Sequence, residues 1–140
     1  MIKEFVKRFD EKRGEIRSTL GSLLKEKDYI EYEDIVRVVV EAVKGDHIYK
    51  GPDPDKITRI DGEDYQGTAV FVIGPSEYDG DDHWYVRISY GSCSVCDTLM
   101  RIVYDYKYGD KEDKEEAVND LFTLALHIVQ QLKKMEGEIV

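Results

Sequence analysis

The chain has 140 residues, 41% of them hydrophobic and 36% charged, a size and composition that form one globular domain spanning 1–140. Its 30 Asp and Glu against 20 Lys and Arg leave a formal net charge of -10, which repels phosphate backbones and anionic headgroups and excludes non-specific nucleic-acid binding. No stretch approaches the ~20 consecutive apolar residues of a bilayer span. The N-terminal MIKEFVKRFDEKRG lacks the apolar run of a signal peptide, and two cysteines cannot supply the disulfide framework of a small secreted domain. A cytoplasmic protein held by packing, with no membrane contact, is expected.

In chain order, Ile2, Phe5, Val6, Phe9, Ile16, Leu20, Leu23 and Leu24 recur at three-and-four spacing and predict one helix over Ile2 to Lys25. Gly14 and the polar Lys12 and Arg13 mark the place where it would kink or break. Tyr32 to Lys44 is apolar on most sides, has an acidic start and is followed by Gly45, which favours a buried helix over a strand. Gly45 to Gly67 concentrates Gly, Pro and Asp and reads as an irregular loop with a short edge strand near Ile57 to Ile60. Thr68 to Ile73 and His83 to Tyr90 are β-branched and aromatic, and predict an antiparallel hairpin in which Trp84, Val86 and Ile88 face a core. Thr98 to Tyr104 begins a further helix. Asp105 to Glu116 reads as a solvated loop with a charged first helical turn, and a closing helix over Lys111 to Met135 carries Val118, Leu121, Phe122, Ala125, Ile128, Val129 and Leu132 on one stripe. The expected fold class is α+β: two N-terminal helices, a small antiparallel sheet of three or four strands, and two C-terminal helices, packed on one face of the sheet.

One loop concentrates chemistry. Gly91, Ser92, Cys93, Ser94, Val95, Cys96 and Asp97 leave a strand and enter a helix. Gly91 permits a close backbone approach, and Ser92, Ser94 and Asp97 suit a loop that caps the free N–H groups of the first helical turn. A thiol at a helix N-terminus is favoured as thiolate, so Cys93 and Cys96 are candidates for redox chemistry, although Asp97 opposes this. Cys-x-x-Cys is also half of a tetrahedral zinc site, for which His47 with a carboxylate, or a second chain's cysteines, would have to complete the set; His83 and His127 are poorly placed. Structural cap, thiol chemistry and zinc binding all stand as readings, with no cofactor required by the first.

The remaining patterns point away from catalysis. Neither Asp53, Asp55, Asp61, Glu63 and Asp64 nor Glu77, Asp79, Asp81 and Asp82 follows the order of a calcium loop, and there is no phosphate-binding glycine loop or Ser-His-acid arrangement. Ten tyrosines stand beside one tryptophan, and Tyr104, Tyr106 and Tyr108 alternate with acidic and basic residues. Tyrosine supplies large amphipathic contact area at modest entropic cost, as protein-binding surfaces require. Tyr65, Asp79, Asp81, Asp82, Tyr104, Tyr106, Tyr108, Glu112 and Asp113 are therefore candidate partner-binding residues.

Asp64-Tyr65-Gln66-Gly67, then Tyr90-Gly-Ser-Cys-Ser-Val-Cys-Asp-Thr-Leu99, then LFTLALHIVQQL at 121–132 resembles an uncharacterised family of small phage and bacterial proteins with a DYQG and YGSCSGCD signature. Val95 stands where that pattern has glycine. The resemblance implies a phage or mobile-element origin and no particular activity. By analogy with small acidic phage proteins, the expectation is a non-catalytic interaction protein that inhibits or regulates a host protein through a basic surface, with a metal-binding or thiol-redox protein centred on Cys93 and Cys96 as the alternative.

Overall fold

The computed structural model describes residues 2–44, 51–61, 68–75, 83–89 and 98–134. Helices α1 (Ile2–Glu11), α2 (Arg13–Glu26) and α3 (Tyr32–Val43) precede strands β1 (Pro52–Asp61), β2 (Thr68–Pro75) and β3 (Trp84–Ser89). Helices α4 (Thr98–Tyr108) and α5 (Lys111–Gln131) and a two-residue strand β4 (Lys133–Lys134) follow. The class is α+β as expected, but three helices rather than two come first. The helix expected over Ile2 to Lys25 is divided at Lys12, whose backbone (φ -105°, ψ 20°) leaves helical geometry and whose N–H is shared between the carbonyls of Arg8 and Phe9 at 3.2 Å each. Between Phe9 and Ile16 the sequence has no apolar residue. Nothing there holds the turn to the core, and the helix can bend so that both halves bury their stripes.

The four strands form an antiparallel sheet in chain order, β1-β2-β3-β4. Inward positions pair across it: Ala69 with Ile88, Phe71 with Val86, Ile73 with Trp84. All six are buried, as the period-two pattern requires. Helix α3 packs on this face against β1, and α5 packs against β3; α1 and α2 lie against α3 and α5. The core is thus a sheet, a middle pair of helices and an outer pair, with Leu20, Ile35, Val36, Val39, Val40, Leu121 and Ala125 fully buried between them. Phe9 meets Phe122 at a centroid distance of 5.2 Å, and Arg13 and Arg17 lie over the Phe122 ring at 5.7 and 5.5 Å.

Three further differences from expectation concern element ends. β1 runs from Pro52, not from Ile57, with an irregular register between those residues. Its proline-rich start is held from the helical layer, because Arg37 Nη1 donates to the Pro54 carbonyl at 2.7 Å. Second, the segment expected to be a solvated loop after Tyr104 is helical to Tyr108. Third, the last helix stops at Gln131 instead of Met135: Leu132 turns extended (φ -70°, ψ 120°) while staying buried, and Lys133 and Lys134 then pair with Tyr85 and Trp84.

Candidate partner-binding surface

Helix α4 is placed by three contacts. At its start, the Leu99 N–H donates to the hydroxyl of buried Tyr32 at 3.4 Å, which gives one amide of the first turn an acceptor from another element. Along its inner side Leu99 and Ile102 are buried, with Val103 and Tyr106 packed against the core. At its end, Lys107 Nζ donates to the Asp28 carbonyl and lies 3.7 Å from the Asp28 carboxylate, tying α4 to the connection between α2 and α3.

This placement turns Met100, Tyr104 and Tyr108 outward. They follow one another at four-residue spacing, which on a helix makes a single ridge. Their exposures are 44%, 62% and 73%, and the rings of Tyr104 and Tyr108 meet at 4.8 Å between centroids. Tyr29, 68% exposed, lines a small cavity of about 60 Å³ together with Met100, so the aromatic surface continues from α4 onto the segment before α3.

The turn from α4 into α5 fixes the rest of the surface. Asp110 is the N-cap of α5: its Oδ1 accepts from the Asp113 N–H at 2.9 Å, and Asp113 Oδ2 accepts from the Asp110 N–H at 3.1 Å. This reciprocal pair is a capping box. Gly109 sits so close to it that a Cβ there would stand 2.3 Å from Asp113 Cβ. Lys114 reaches back to the Tyr106 carbonyl and lies 4.8 Å from the centre of the Tyr106 ring.

Electrostatically, three cations of α4 and α5 are engaged. Arg101 pairs with Asp105 at 3.3 Å and Asp120 at 3.7 Å, Lys107 is held by Asp28, and Lys114 by Tyr106. Glu112, Glu115 and Glu116 on the first turns of α5 are exposed and have no ion-pair partner among the described residues. Exposed pairs of this kind contribute little to stability, but they decide which charges are left for a partner.

The candidates from sequence separate accordingly. Tyr104 and Tyr108 come together on the ridge, while Glu112 is exposed on the first turn of α5 with no contact that joins it to them among the described residues. Tyr106 does not join them, because two residues on from Tyr104 a helix has turned about 200°, to the inner side, where Tyr106 packs against the core. Asp113 is occupied in the capping box. Tyr65, Asp79, Asp81 and Asp82, and the whole loop with Gly91, Ser92, Cys93, Ser94, Cys96 and Asp97, lie outside the described residues. Met100 and Tyr29 were missed; the signal for Met100 was its four-residue spacing from Tyr104, visible once the helix is carried on to Tyr108. No group of three or more His, Cys, Asp or Glu that could hold a metal ion occurs among the described residues, and none of the described helices is long and apolar enough to cross a membrane. Comparison with protein-family models, with curated proteins and with solved structures finds no match to the chain.

Proposed function

We propose that the chain is a non-catalytic interaction protein, an inhibitor or regulator of phage or mobile-element type acting in the cytoplasm, that binds a basic surface of a host protein through the outer ridge of α4. The observation that supports this reading is the joint exposure of Tyr104 and Tyr108, at 62% and 73%, on one ridge of α4, in a chain with a formal net charge of -10. Aromatic rings in water are costly to leave uncovered, and their faces attract Arg and Lys side chains. The exposed carboxylates of Glu112, Glu115 and Glu116 on the first turns of α5 add long-range steering for a cationic partner.

The test is capture of a protein partner on the immobilised chain, followed by charge reversal at Glu112→Lys, Glu115→Lys and Glu116→Lys. The bound partner is expected to be basic, to be released by raised salt, and to be lost on the reversed chain. A partner retained equally by the reversed chain and at high salt would refute the reading.

A further inference from the structure

Several buried or half-buried rings of this fold carry a cation on one face. Arg13 and Arg17 lie over Phe122 at 5.7 and 5.5 Å from its centre, Arg59 over Phe71 at 5.8 Å, and Lys114 over Tyr106 at 4.8 Å. At Phe122 the arrangement includes a carboxylate: Arg13 rests on the ring while its Nη2 donates to Asp10 Oδ1 at 2.7 Å. Tyr104 and Tyr108 differ. Their rings meet at 4.8 Å, tilted by 49°, with no cation over either face among the described residues. The two cations of α4 itself are turned to carboxylates instead: Arg101 to Asp105 at 3.3 Å and Asp120 at 3.7 Å, Lys107 to Asp28 at 3.7 Å. Three carboxylates thus meet two cations along the helix, an excess of negative charge placed there by direct contacts. Asp105 precedes Tyr108 by three residues, a spacing that makes the two neighbours on the helix surface. Its side chain is 44% exposed, and its Oδ2 accepts from Arg101 while its Oδ1 accepts no hydrogen bond among the described residues.

We infer that the ridge takes an arginine of its protein partner, whose guanidinium lies on the rings of Tyr104 and Tyr108 and whose edge donates to Asp105 Oδ1. The inference rests on the reading of the ridge given above and narrows a basic partner to one that presents arginine. A guanidinium is planar and weakly hydrated, so it lies flat on a ring while its N–H edge stays free to donate. The ammonium of lysine is a compact, strongly hydrated point charge and gives up more water to make the same contact. Asp105 supplies the acceptor for the edge, as Asp10 does for Arg13. The carboxylates of Asp105, Asp120 and Asp28 offset Arg101 and Lys107, so the cations of α4 do not oppose an incoming one. Tyr106 has no such role, because Lys114 lies over its face and its ring packs against the core.

Titration of the whole chain with hexa-arginine and with hexa-lysine, followed by calorimetry at physiological ionic strength, tests this. A chain with a formal net charge of -10 attracts both peptides, so the ratio of the two affinities isolates the guanidinium. Wild type is expected to prefer hexa-arginine at least about threefold. Tyr104→Leu with Tyr108→Leu keeps apolar area and helix propensity but removes the ring faces, and is expected to lose the preference. Tyr104→Phe with Tyr108→Phe keeps the faces and is expected to retain it, and Asp105→Asn is expected to weaken it. Both pairs are expected to melt like wild type by circular dichroism, since the two side chains are exposed. Wild type that binds neither peptide, or binds both equally, overturns the inference, as does a preference that survives the leucine pair or is lost with the phenylalanine pair. A preference unchanged in Asp105→Asn overturns the role given to that carboxylate. A captured basic partner lost with Tyr104→Ala and Tyr108→Ala but held by the leucine pair leaves the reading of the ridge standing and overturns only the arginine. A partner indifferent to both pairs overturns the reading of the ridge and the inference with it.

Discussion

Replacing Gly109 with alanine probes the turn that joins α4, with its exposed tyrosine ridge, to α5. A Cβ at Gly109 would lie 2.3 Å from Asp113 Cβ, 2.7 Å from Asp113 Oδ2 and 2.5 Å from the Asp105 carbonyl oxygen, all well inside the ~3.5 Å of ordinary contact. The Asp105 carbonyl also accepts the Gly109 N–H at 3.0 Å, so it cannot withdraw without losing that bond. Relief at Asp113 pulls its carboxylate out of the capping box, worth about 1 kcal/mol. Relief at Asp105 shifts backbone in the last turn of α4, an overpacking cost of about 1–3 kcal/mol. Gly109→Ala should therefore destabilise by about 2–4 kcal/mol, which for a domain of this length lowers Tm by roughly 10 °C. Thermal melts and urea titration followed by circular dichroism measure this directly. Asp113→Ala alone should cost about 1 kcal/mol, and although alanine keeps the Cβ that the added methyl meets, Gly109→Ala should cost less in that background than in wild type because the capping box it would disrupt is already lost. A Gly109→Ala variant within about 0.5 kcal/mol of wild type, or costs that simply add, would refute this account of the turn.

Tyr32→Phe removes the acceptor of the Leu99 N–H at the start of α4, and a loss of about 0.5–1.5 kcal/mol in urea titration is expected, with the fold otherwise unchanged. For Cys93 and Cys96, native mass spectrometry of the chain is expected to give the bare 16.2 kDa mass with both thiols reduced, and Cys93→Ser with Cys96→Ser is expected to leave partner binding intact. A zinc-sized increment, lost in that double variant, would replace the present reading with the metal-binding alternative.

Much of the fold was legible because burial and periodicity coincide. The stripe Phe5, Phe9, Ile16, Leu20 and Leu24, the alternation of Trp84, Val86 and Ile88, and Leu121, Phe122, Ala125, Ile128, Val129 and Leu132 are buried as their spacing selects, while Val6, Leu23 and Val118 of the same stripes are half-buried at their margins. Element ends were less legible, since they depend on partners distant in sequence. The start of β1 at Pro52 is held by Arg37 from α3, and Leu132 leaves the helix because Lys133 and Lys134 have strand β3 to pair with. The tyrosine segment was misread for a different reason. Tyr104, Tyr106 and Tyr108 alternate with charged residues, a period of two that hides the three-and-four spacing of Leu99, Ile102, Val103 and Tyr106. Only with the helix in place do Tyr104 and Tyr108 separate from Tyr106, and only then does Met100 join them. Glu112 and Asp113 are adjacent in sequence and both acidic, yet one is exposed without an ion pair among the described residues and the other closes a capping box, a distinction set by the N-cap at Asp110.

The most direct test of the ridge as a binding surface is the affinity of the captured basic partner for wild type and for the Tyr104→Ala, Tyr108→Ala chain, measured by calorimetry at one salt concentration. Both side chains are largely in water, so the variant should keep its stability to within about 1 kcal/mol. Two central aromatic contacts are expected to cost at least about 2 kcal/mol of binding, a loss of roughly thirtyfold or more. An affinity within about threefold of wild type, on a variant that melts like wild type, would contradict the account.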